Sequence, residues 1–380
     1  MSTKHSKAAA EFLKNKKQAA WHDETLWLVR AKRDRLSKEV PEWEELRNMA
    51  CATKLYSNSH LDELLVEFEN NARANGAHVY WAKDADEYCN IVYNILNQHG
   101  VKHFIKSKSM LAEECELNPF LENKGIEVVE SDLGERILQL MHLKPSHIVL
   151  PAIHIKREQV GELFEREMGT EKGNFDPTYL THAARKNLRQ KFIHAEAAMT
   201  GANFAVASTG EIVVCTNEGN ADMGTSQPKL QIAAFGMEKI VPDRESLGVF
   251  TRLLARSATG QPITTYTSHY RKPREGGELH IIIVDNGRSK ILADQKHIKT
   301  LNCIRCGACM NTCPVYRRSG GYSYTYFIPG PIGINLGMLK APLHYYDNVS
   351  ACSLCYSCSF VCPAKVDLAE QIYLWRLDLD

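Results

Sequence analysis

The strongest constraint in this sequence is a cysteine pattern that occurs twice near its carboxyl end. Eight of the 12 cysteines lie in two runs with the spacing C-x2-C-x2-C-x3-C, each followed by proline. The runs comprise Cys303, Cys306, Cys309 and Cys313, and then Cys352, Cys355, Cys358 and Cys362. In bacterial two-cluster ferredoxins the fourth cysteine of such a run binds the other cluster. The sequence therefore predicts two [4Fe–4S] clusters.

This crossing defines the expected ligands of each cluster. Cluster 1 is predicted to be held by Cys303, Cys306, Cys309 and Cys362, and cluster 2 by Cys352, Cys355, Cys358 and Cys313. Structural zinc favours two separated cysteine pairs rather than four closely spaced cysteines. Disulfides are disfavoured because clusters are assembled under reducing conditions. The scattered cysteines are predicted to be ordinary thiols: Cys51, Cys89, Cys115 and Cys215.

The charge and hydropathy of the chain give no indication of binding to nucleic acid or of a membrane-spanning segment. The 380 residues carry a formal net charge of +1, which provides no general attraction to nucleic acid. No apolar run approaches the ~18 residues needed to span a bilayer, and the first residues lack the apolar core of a secretion signal. We therefore expect a cytoplasmic protein that is not integral to a membrane, although its electron acceptor could be membrane-associated.

The pattern of apolar residues divides the chain into three regions. Residues 1–60 are predicted to form a helical arm. Residues 61–295 alternate strand and helix, which favours a layered α/β domain with a mixed, largely parallel sheet. Within it we predict a buried strand at 147–150 and a helix over 177–199. Residues 296–380 contain the cysteine runs and a long Gly- and Pro-containing spacer, which favours a mostly helical two-cluster ferredoxin domain.

Several segments outside the cysteine runs resemble one family. They are residues 106–110, 130–135, 145–148, 151–154, 203–210 and 216–220. Together with the cysteine runs, these segments resemble the lactate utilisation protein B family, which joins a LUD domain to a two-cluster ferredoxin module. The resemblance implies a LUD domain similar to the sugar-isomerase and CoA-transferase fold. Family members usually continue beyond the second cluster, so the resemblance implies a truncated chain or a short variant.

The resemblance also implies a function. The chain would be the iron–sulfur electron-transfer subunit of a system that oxidises L-lactate to pyruvate, working with companion subunits of a complex. Two alternatives stay open: a catalytic subunit with lactate in a pocket of the LUD domain, and a redox-sensing scaffold protein. No G-x-G-x-x-G at a strand–helix junction and no G-x-x-x-x-G-K-[ST] is present, so a nicotinamide or nucleoside triphosphate site has no support.

Six residues are candidates for a ligand pocket in the α/β region: Lys106, Ser107, Lys108, Thr209, Gly210 and Glu218. The first three follow a strand and could bind a carboxylate or phosphate. The alternatives are a capped helix with exposed lysines, a plain hairpin at Thr209–Gly210, and turn structure at Glu218. His147 and His154 could accept a proton during oxidation of a 2-hydroxy acid, but a structural role in the core or a loop is the favoured interpretation.

Overall fold

The structure is a computed structural model that describes residues 4–379. The described part of the chain begins with a helical arm. The arm consists of α1 (Lys4–Lys14), α2 (Lys16–Lys38) and α3 (Trp43–Ser59). Asn15 ends the first helix and caps the second, because its side chain accepts the N–H of Gln18 at 3.1 Å. The three helices pack on both the α/β region and the cysteine-rich region.

The centre of the molecule is a parallel sheet. Within residues 4–379 its six strands are β1 (His78–Ala82), β2 (His103–Lys106), β3 (Glu127–Glu130), β4 (Ala197–Gly201), β7 (Leu230–Gly236) and β10 (Glu278–Val284). Their order across the sheet is β1-β10-β7-β4-β2-β3. Helices cover both faces, so the strands consist largely of buried apolar residues. All six carboxyl ends meet at one edge of the sheet.

Helices connect these strands and cover the sheet. They are α4 (Leu61–Ala74), α5 (Ala85–Gln98), α6 (Met110–Glu114), α7 (Leu117–Asn123), α8 (Leu133–Met141), α9 (Arg157–Met168), α10 (Pro177–His194), α11 (Asn220–Ser226), α12 (Arg244–Thr259) and α13 (Arg288–Leu292). Aspartates that precede several of them accept a backbone N–H from the first turn, as Asp84 and Asp243 do. The sequence therefore specifies many of these helix starts locally.

A smaller mixed sheet lies beside the parallel one. Its strands are β5 (Phe204–Val206), β6 (Glu211–Thr216), β8 (Ile240–Val241) and β9 (Tyr266–Tyr270). The β5–β6 and β6–β9 pairs are antiparallel, whereas β5 and β8 are parallel. The fold class is therefore α/β with mixed pairing, as predicted.

The cysteine-rich region is built from short helices. They are α14 (Ala308–Thr312), α15 (Pro314–Ser319), α16 (Gly330–Lys340), α17 (Pro342–Tyr345), α18 (Ser357–Val361) and α19 (Leu368–Leu379). Its apolar residues share one core with the arm and the small sheet. That core includes Leu26 of the arm, Phe250 of α12, and Met310 and Ile372 of the cysteine-rich region. Among the described helices, none is both long enough and apolar enough to cross a membrane.

Two predicted elements in the α/β region were wrong. Residues 147–150 form no strand, because the His147 Nδ1 atom accepts the N–H groups of both Val149 and Leu150 at 3.0 Å and bends the backbone around the ring. The helix predicted over 177–199 ends at His194, and β4 follows it. The first three residues of β4, Ala197–Met199, favour a helix locally, so the pairing of β4 with β2 and β7 decides its conformation.

Candidate metal centre and adjoining cavity

The two cysteine runs adopt the same local structure. In each run the residue before the second cysteine is left-handed, with φ of 61° at Arg305 and 53° at Leu354. The residue after the second cysteine is also left-handed, at Gly307 and Tyr356. A five-residue helix follows in both runs, α14 in the first and α18 in the second. Equal cysteine spacing therefore produces equal backbone geometry.

The first predicted ligand set surrounds one small cavity. Its walls include Cys303, Cys306, Cys309 and Cys362, so the last cysteine of the second run joins three from the first. Burial, followed by the neighbouring thiols of Cys362 and Cys303, raises the pKa of Cys306 to about 12. Binding iron as thiolates would therefore release protons from these cysteines.

The second predicted ligand set is also assembled by crossing. Burial, together with the nearby thiols of Cys313, Cys352 and Cys355, raises the pKa of Cys358. Cys355 is solvent-exposed, whereas Cys306, Cys309 and Cys362 of the first set are buried. The second group of thiols therefore lies nearer to the protein surface than the first.

Backbone N–H groups point at the sulfur atoms in both sets. Arg305 N and Leu354 N lie 3.4 and 3.3 Å from the Sγ atoms of Cys303 and Cys352, respectively. Val366 N lies 3.4 Å from Cys362 Sγ. Four convergent thiols with N–H donors aimed at sulfur are the donor set that suits a [4Fe–4S] cluster, and such hydrogen bonds tune its potential. The residues present therefore fit this group.

A chain of buried ion pairs connects the α/β region to the first thiol set. Arg288 binds Glu114 with two bonds of 2.9 Å and donates from Nε to Glu238 at 2.5 Å. The other carboxylate oxygen of Glu238 lies 3.5 Å from Arg305 Nη2. Arg305 immediately precedes Cys306, so these charges bridge the two regions of the chain.

This ionic chain carries excess positive charge. Among the described residues, the ionic chain contains the cations Arg288 and Arg305 and the carboxylates Glu114 and Glu238, and two more cations, Lys54 and Lys239, lie next to it. Burial is the main reason that the pKa values of Lys54 and Lys239 both fall to about 8, although Glu238 opposes that change. An anionic cluster, or a bound carboxylate, would compensate these buried cations.

A cavity of about 380 Å³ joins the carboxyl edge of the parallel sheet to the first cysteine run. Lys108, Asp132, Asn203 and Lys239, which follow β2, β3, β4 and β7, line it, and so does Cys306. Parallel α/β sheets commonly bind ligands at this edge, and the volume suits a small molecule. A ligand in this cavity would therefore lie beside the first set of thiols.

Two of the predicted pocket residues line this cavity, namely Lys108 and Glu218. The backbone N–H of Leu133 approaches Glu218 Oε1 at 3.3 Å, at the start of α8. Lys106 lies outside the cavity, fully buried, with its Nζ 2.7 Å from Glu130 Oε1. Ser107 is likewise buried and donates its backbone N–H to Met199 O.

The other two, Thr209 and Gly210, lie in the β5–β6 turn away from the cavity. The turn packs on α4, where Asn75 donates to the Thr209 carbonyl at 2.8 Å. A Cβ atom on Gly210 would lie 2.3 Å from the backbone nitrogen of Ala72. The glycine is therefore explained by this close helix contact, as the hairpin alternative anticipated, and not by an approaching ligand.

Neither candidate proton acceptor lines the cavity. His147 Nδ1 accepts two backbone N–H groups, so Nε2 carries the proton and donates to Asn311 Oδ1 at 2.9 Å. Burial lowers its pKa to about 3. His154 lies between Ser146 Oγ and Tyr322 OH at 2.6 and 2.8 Å. Both histidines join the α/β region to the cysteine-rich region, in agreement with the favoured structural interpretation.

Sequence reasoning missed the cations and carboxylates of the ionic chain. Arg305 lies within a cysteine run and Glu238 follows a strand, but nothing in the sequence indicates that they meet. One signal was Gly236, which ends β7. A Cβ atom there would lie 2.2 Å from Arg288 Nε and from Glu238 Oε2. A glycine at the carboxyl end of a buried strand therefore marked the position of the ion pair.

A second polar cluster lies behind the cavity wall. Its charged side chains are Lys106, Lys108, Glu113, Glu130, Asp132 and Glu135. Because the carboxyl groups outnumber the lysines among these residues, at least one carboxyl group is expected to keep a proton. Burial, and then repulsion from Glu113, raises the pKa of Glu135 to about 9.

Comparison with known families agrees with this architecture. The family model of the LUD domain matches residues 65–291, and that of the 4Fe-4S dicluster domain matches residues 299–366. A Geobacillus thermodenitrificans protein named "Lactate utilization protein B" is 44% identical over 347 residues, which cover 89% of this chain and 72% of that protein. A Bacillus pumilus protein of the same name is also 44% identical, over 90% of this chain and 73% of its own length.

A third relative comes from Escherichia coli. It is named "Uncharacterized electron transport protein YkgF" and is 41% identical over 92% of this chain and 74% of its own length. The high identity extends across both regions of the chain, so the resemblance inferred from short segments is confirmed. The chain therefore belongs to the lactate utilization protein B family, in which a LUD domain precedes a 4Fe-4S dicluster domain.

Proposed function

We propose that this chain is the iron–sulfur electron-transfer subunit of an L-lactate oxidation system. The names of the relatives and the dicluster domain support this function. The single observation that carries it is the cavity at the sheet edge that reaches Cys306, while Cys355 of the second set is exposed. One thiol set adjoins the interior cavity and the other adjoins the surface, as electron transfer through the protein requires.

Two clusters are proposed to occupy the thiol sets. Cluster 1 is held by Cys303, Cys306, Cys309 and Cys362, and cluster 2 by Cys313, Cys352, Cys355 and Cys358. Each cluster accepts and releases one electron at a time. Conversion of lactate to pyruvate yields two electrons and two protons, so two clusters match its electron count. The reaction partners are proposed to be companion subunits in the cytoplasm and an acceptor that is membrane-associated.

A second candidate function is supported by the charge of the cavity. Lys108, Lys239, Arg288 and Arg305 line it, and so do the carboxyl groups of Glu114, Asp132, Glu218 and Glu238. Burial, and then the charge of Asp132, raises the pKa of Glu218 to about 8, so this carboxyl group is expected to hold a proton at neutral pH. The four basic groups then face three carboxylates, which favours a bound carboxylate, such as that of lactate. In this catalytic version, lactate itself binds in the cavity beside cluster 1 and its oxidation begins in this chain.

Anaerobic EPR spectroscopy of the cluster-loaded protein tests both candidates. For the electron-transfer subunit we expect no reduced [4Fe–4S] signal with L-lactate alone, and a signal with dithionite. A signal with L-lactate alone would instead support the catalytic version. Absence of a [4Fe–4S] signal after dithionite, in protein that contains its full iron, would contradict both.

A variant that removes one positive charge from the cavity distinguishes lactate oxidation by this chain from lactate oxidation by a contaminating lactate dehydrogenase. In the catalytic version, Lys239→Gln is expected to reduce the lactate-dependent signal at least tenfold and leave the dithionite signal unchanged. Lys186→Gln, on the exposed face of α10, is the matched control. Equal loss in both variants would argue against the cavity as the lactate site.

A further inference from the structure

A group of histidines lies at the amino-terminal edge of the parallel sheet, opposite the cavity. His78 begins β1 and is the register partner of His280 on the neighbouring strand β10. Glu278, two residues before His280, projects from the same face of β10 because side chains alternate along a strand. His99 follows α5 and approaches the same carboxylate. Three elements thus bring imidazole and carboxylate groups to one place.

The donor atoms are close to the spacing of a metal site. Glu278 Oε2 lies 3.0 Å from His280 Nε2, and Glu278 Oε1 lies 3.2 Å from His99 Nε2. One ligand atom each from His78, Glu278 and His280 lies within 4.8 Å of the others. Ligand atoms around a tetrahedral zinc ion with bonds of ~2.0 Å are about 3.3 Å apart. The His78 and His280 rings are stacked, with centroids 4.8 Å apart, so rotation of the exposed His78 ring would be needed to complete the site.

The second nitrogen of two of these rings is also occupied. His99 Nδ1 donates to the Ile95 carbonyl at 2.8 Å, and His280 Nδ1 lies 3.1 Å from Tyr80 OH. Partners of this kind hold metal-binding histidines in the required tautomer and orientation. With its proton on Nδ1, a neutral His99 presents a lone pair at Nε2 to a carboxylate oxygen. That contact becomes favourable only with a proton or a cation between the two atoms.

We propose that His78, His280 and Glu278, with His99 as a further ligand, bind one divalent transition-metal ion. Zinc is the preferred candidate, since a set of imidazole and carboxylate ligands suits it. The ion would connect β1, β10 and the end of α5. This site is separate from the cysteine runs, because it lies at the opposite edge of the sheet.

Zinc titration of tag-free, cluster-loaded protein, followed by calorimetry under anaerobic conditions, tests the proposal. We expect one saturable zinc ion per chain and no change in iron content, which excludes displacement of iron from the thiols. Zinc should also raise the thermal midpoint, because it binds the folded state. Absence of saturable zinc binding would overturn the proposal.

Variants locate the ion. His78→Gln and His280→Gln are each expected to weaken zinc binding at least tenfold, and Tyr80→Phe to weaken it about tenfold through the orientation of His280. The matched control is His103→Gln, because His103 is an exposed histidine at the same sheet edge that pairs with Glu127 at 2.8 Å. Unchanged zinc affinity in His78→Gln, whose exposed side chain is not needed for folding, would overturn the assignment. Equal loss of affinity in His103→Gln would do the same.

Discussion

Arg305 has three structural roles: it turns the backbone, donates an N–H toward a sulfur atom and forms an ion pair with a residue distant in the chain. Its left-handed backbone turns the chain between Cys303 and Cys306, and its N–H points at Cys303 Sγ. Its guanidinium group reaches Glu238 of the α/β region. Glycine would suit the backbone conformation better, but it would remove the buried charge. The requirement for charge therefore explains a non-glycine residue at this position.

Glu135 provides a residue-scale prediction about pH. Its pKa is about 9 in the folded protein, whereas an unfolded glutamate has a pKa of about 4.3. Between these values the folded state binds more protons than the unfolded state, so this group makes the folded protein less stable as pH rises. Glu135→Gln keeps the shape of the protonated acid and removes this dependence. We expect the stability advantage of the variant over the parent to grow by ~2.7 kcal/mol from pH 6 to pH 8.

Anaerobic thermal unfolding of both proteins at pH 6 and pH 8 measures this effect. Glu63→Gln, a change at an exposed position of α4, serves as the control and should show the same difference from the parent at both pH values. If the advantage of Glu135→Gln were equal at pH 6 and pH 8, the buried carboxyl group would not hold its proton as described.

At the scale of elements, the two cysteine runs are the clearest case of local determination. The spacing of cysteines, a left-handed turn and a short helix recur at positions 49 residues apart, as the numbers of Cys303 and Cys352 show. The strand β4 is the opposite case. Its residues have no strong strand preference, and only neighbours on both sides make it a strand.

Replacing one cysteine in either run should remove one cluster. We expect Cys306→Ala and Cys355→Ala each to reduce iron and sulfide by about half, because each substitution removes one of the four thiolates proposed to hold a cluster. Residues 300–370 should also become more susceptible to proteolysis, since cluster binding stabilises this loop-rich region. Iron analysis and limited proteolysis measure the two effects.

Cys51→Ala is the matched control for this experiment, because Cys51 lies on α3 outside both runs. It should retain the iron content of the parent protein. Unchanged iron in Cys306→Ala or Cys355→Ala would contradict the proposed ligand sets.

At the scale of the whole molecule, the arm, the small sheet and the cysteine-rich region share one apolar core. This arrangement buries Cys306, Cys309 and Cys362 of the first thiol set and leaves Cys355 of the second exposed. Around exposed Cys355, the side chains of Tyr356 and Phe360 are also exposed, Phe360 by 76%. Exposed aromatic groups beside a redox site are typical of a surface that docks a partner protein.

Phe360→Ser should therefore slow electron transfer from the dithionite-reduced chain to the proposed companion subunits by about tenfold. Such a change corresponds to a loss of ~1.4 kcal/mol of docking energy. Iron content and oxidation by ferricyanide should stay unchanged. Stopped-flow measurement of cluster oxidation gives both rates. Val66→Ser, at an exposed position of α4, is the control, and equal slowing in the two variants would rule out a specific docking role for Phe360.

The local sequence is sufficient to predict the repeated cysteine runs as a metal centre, the start of many helices, and the alternation of strands and helices. Each of these depends on residues a few positions apart, so local chemistry is sufficient to predict it. The local sequence predicts neither the strand β4, nor the position of Thr209 and Gly210 away from the cavity, nor the contact between Arg305 and Glu238. These features depend on contacts between residues distant in the chain, and neither periodicity nor spacing records which distant residues will meet.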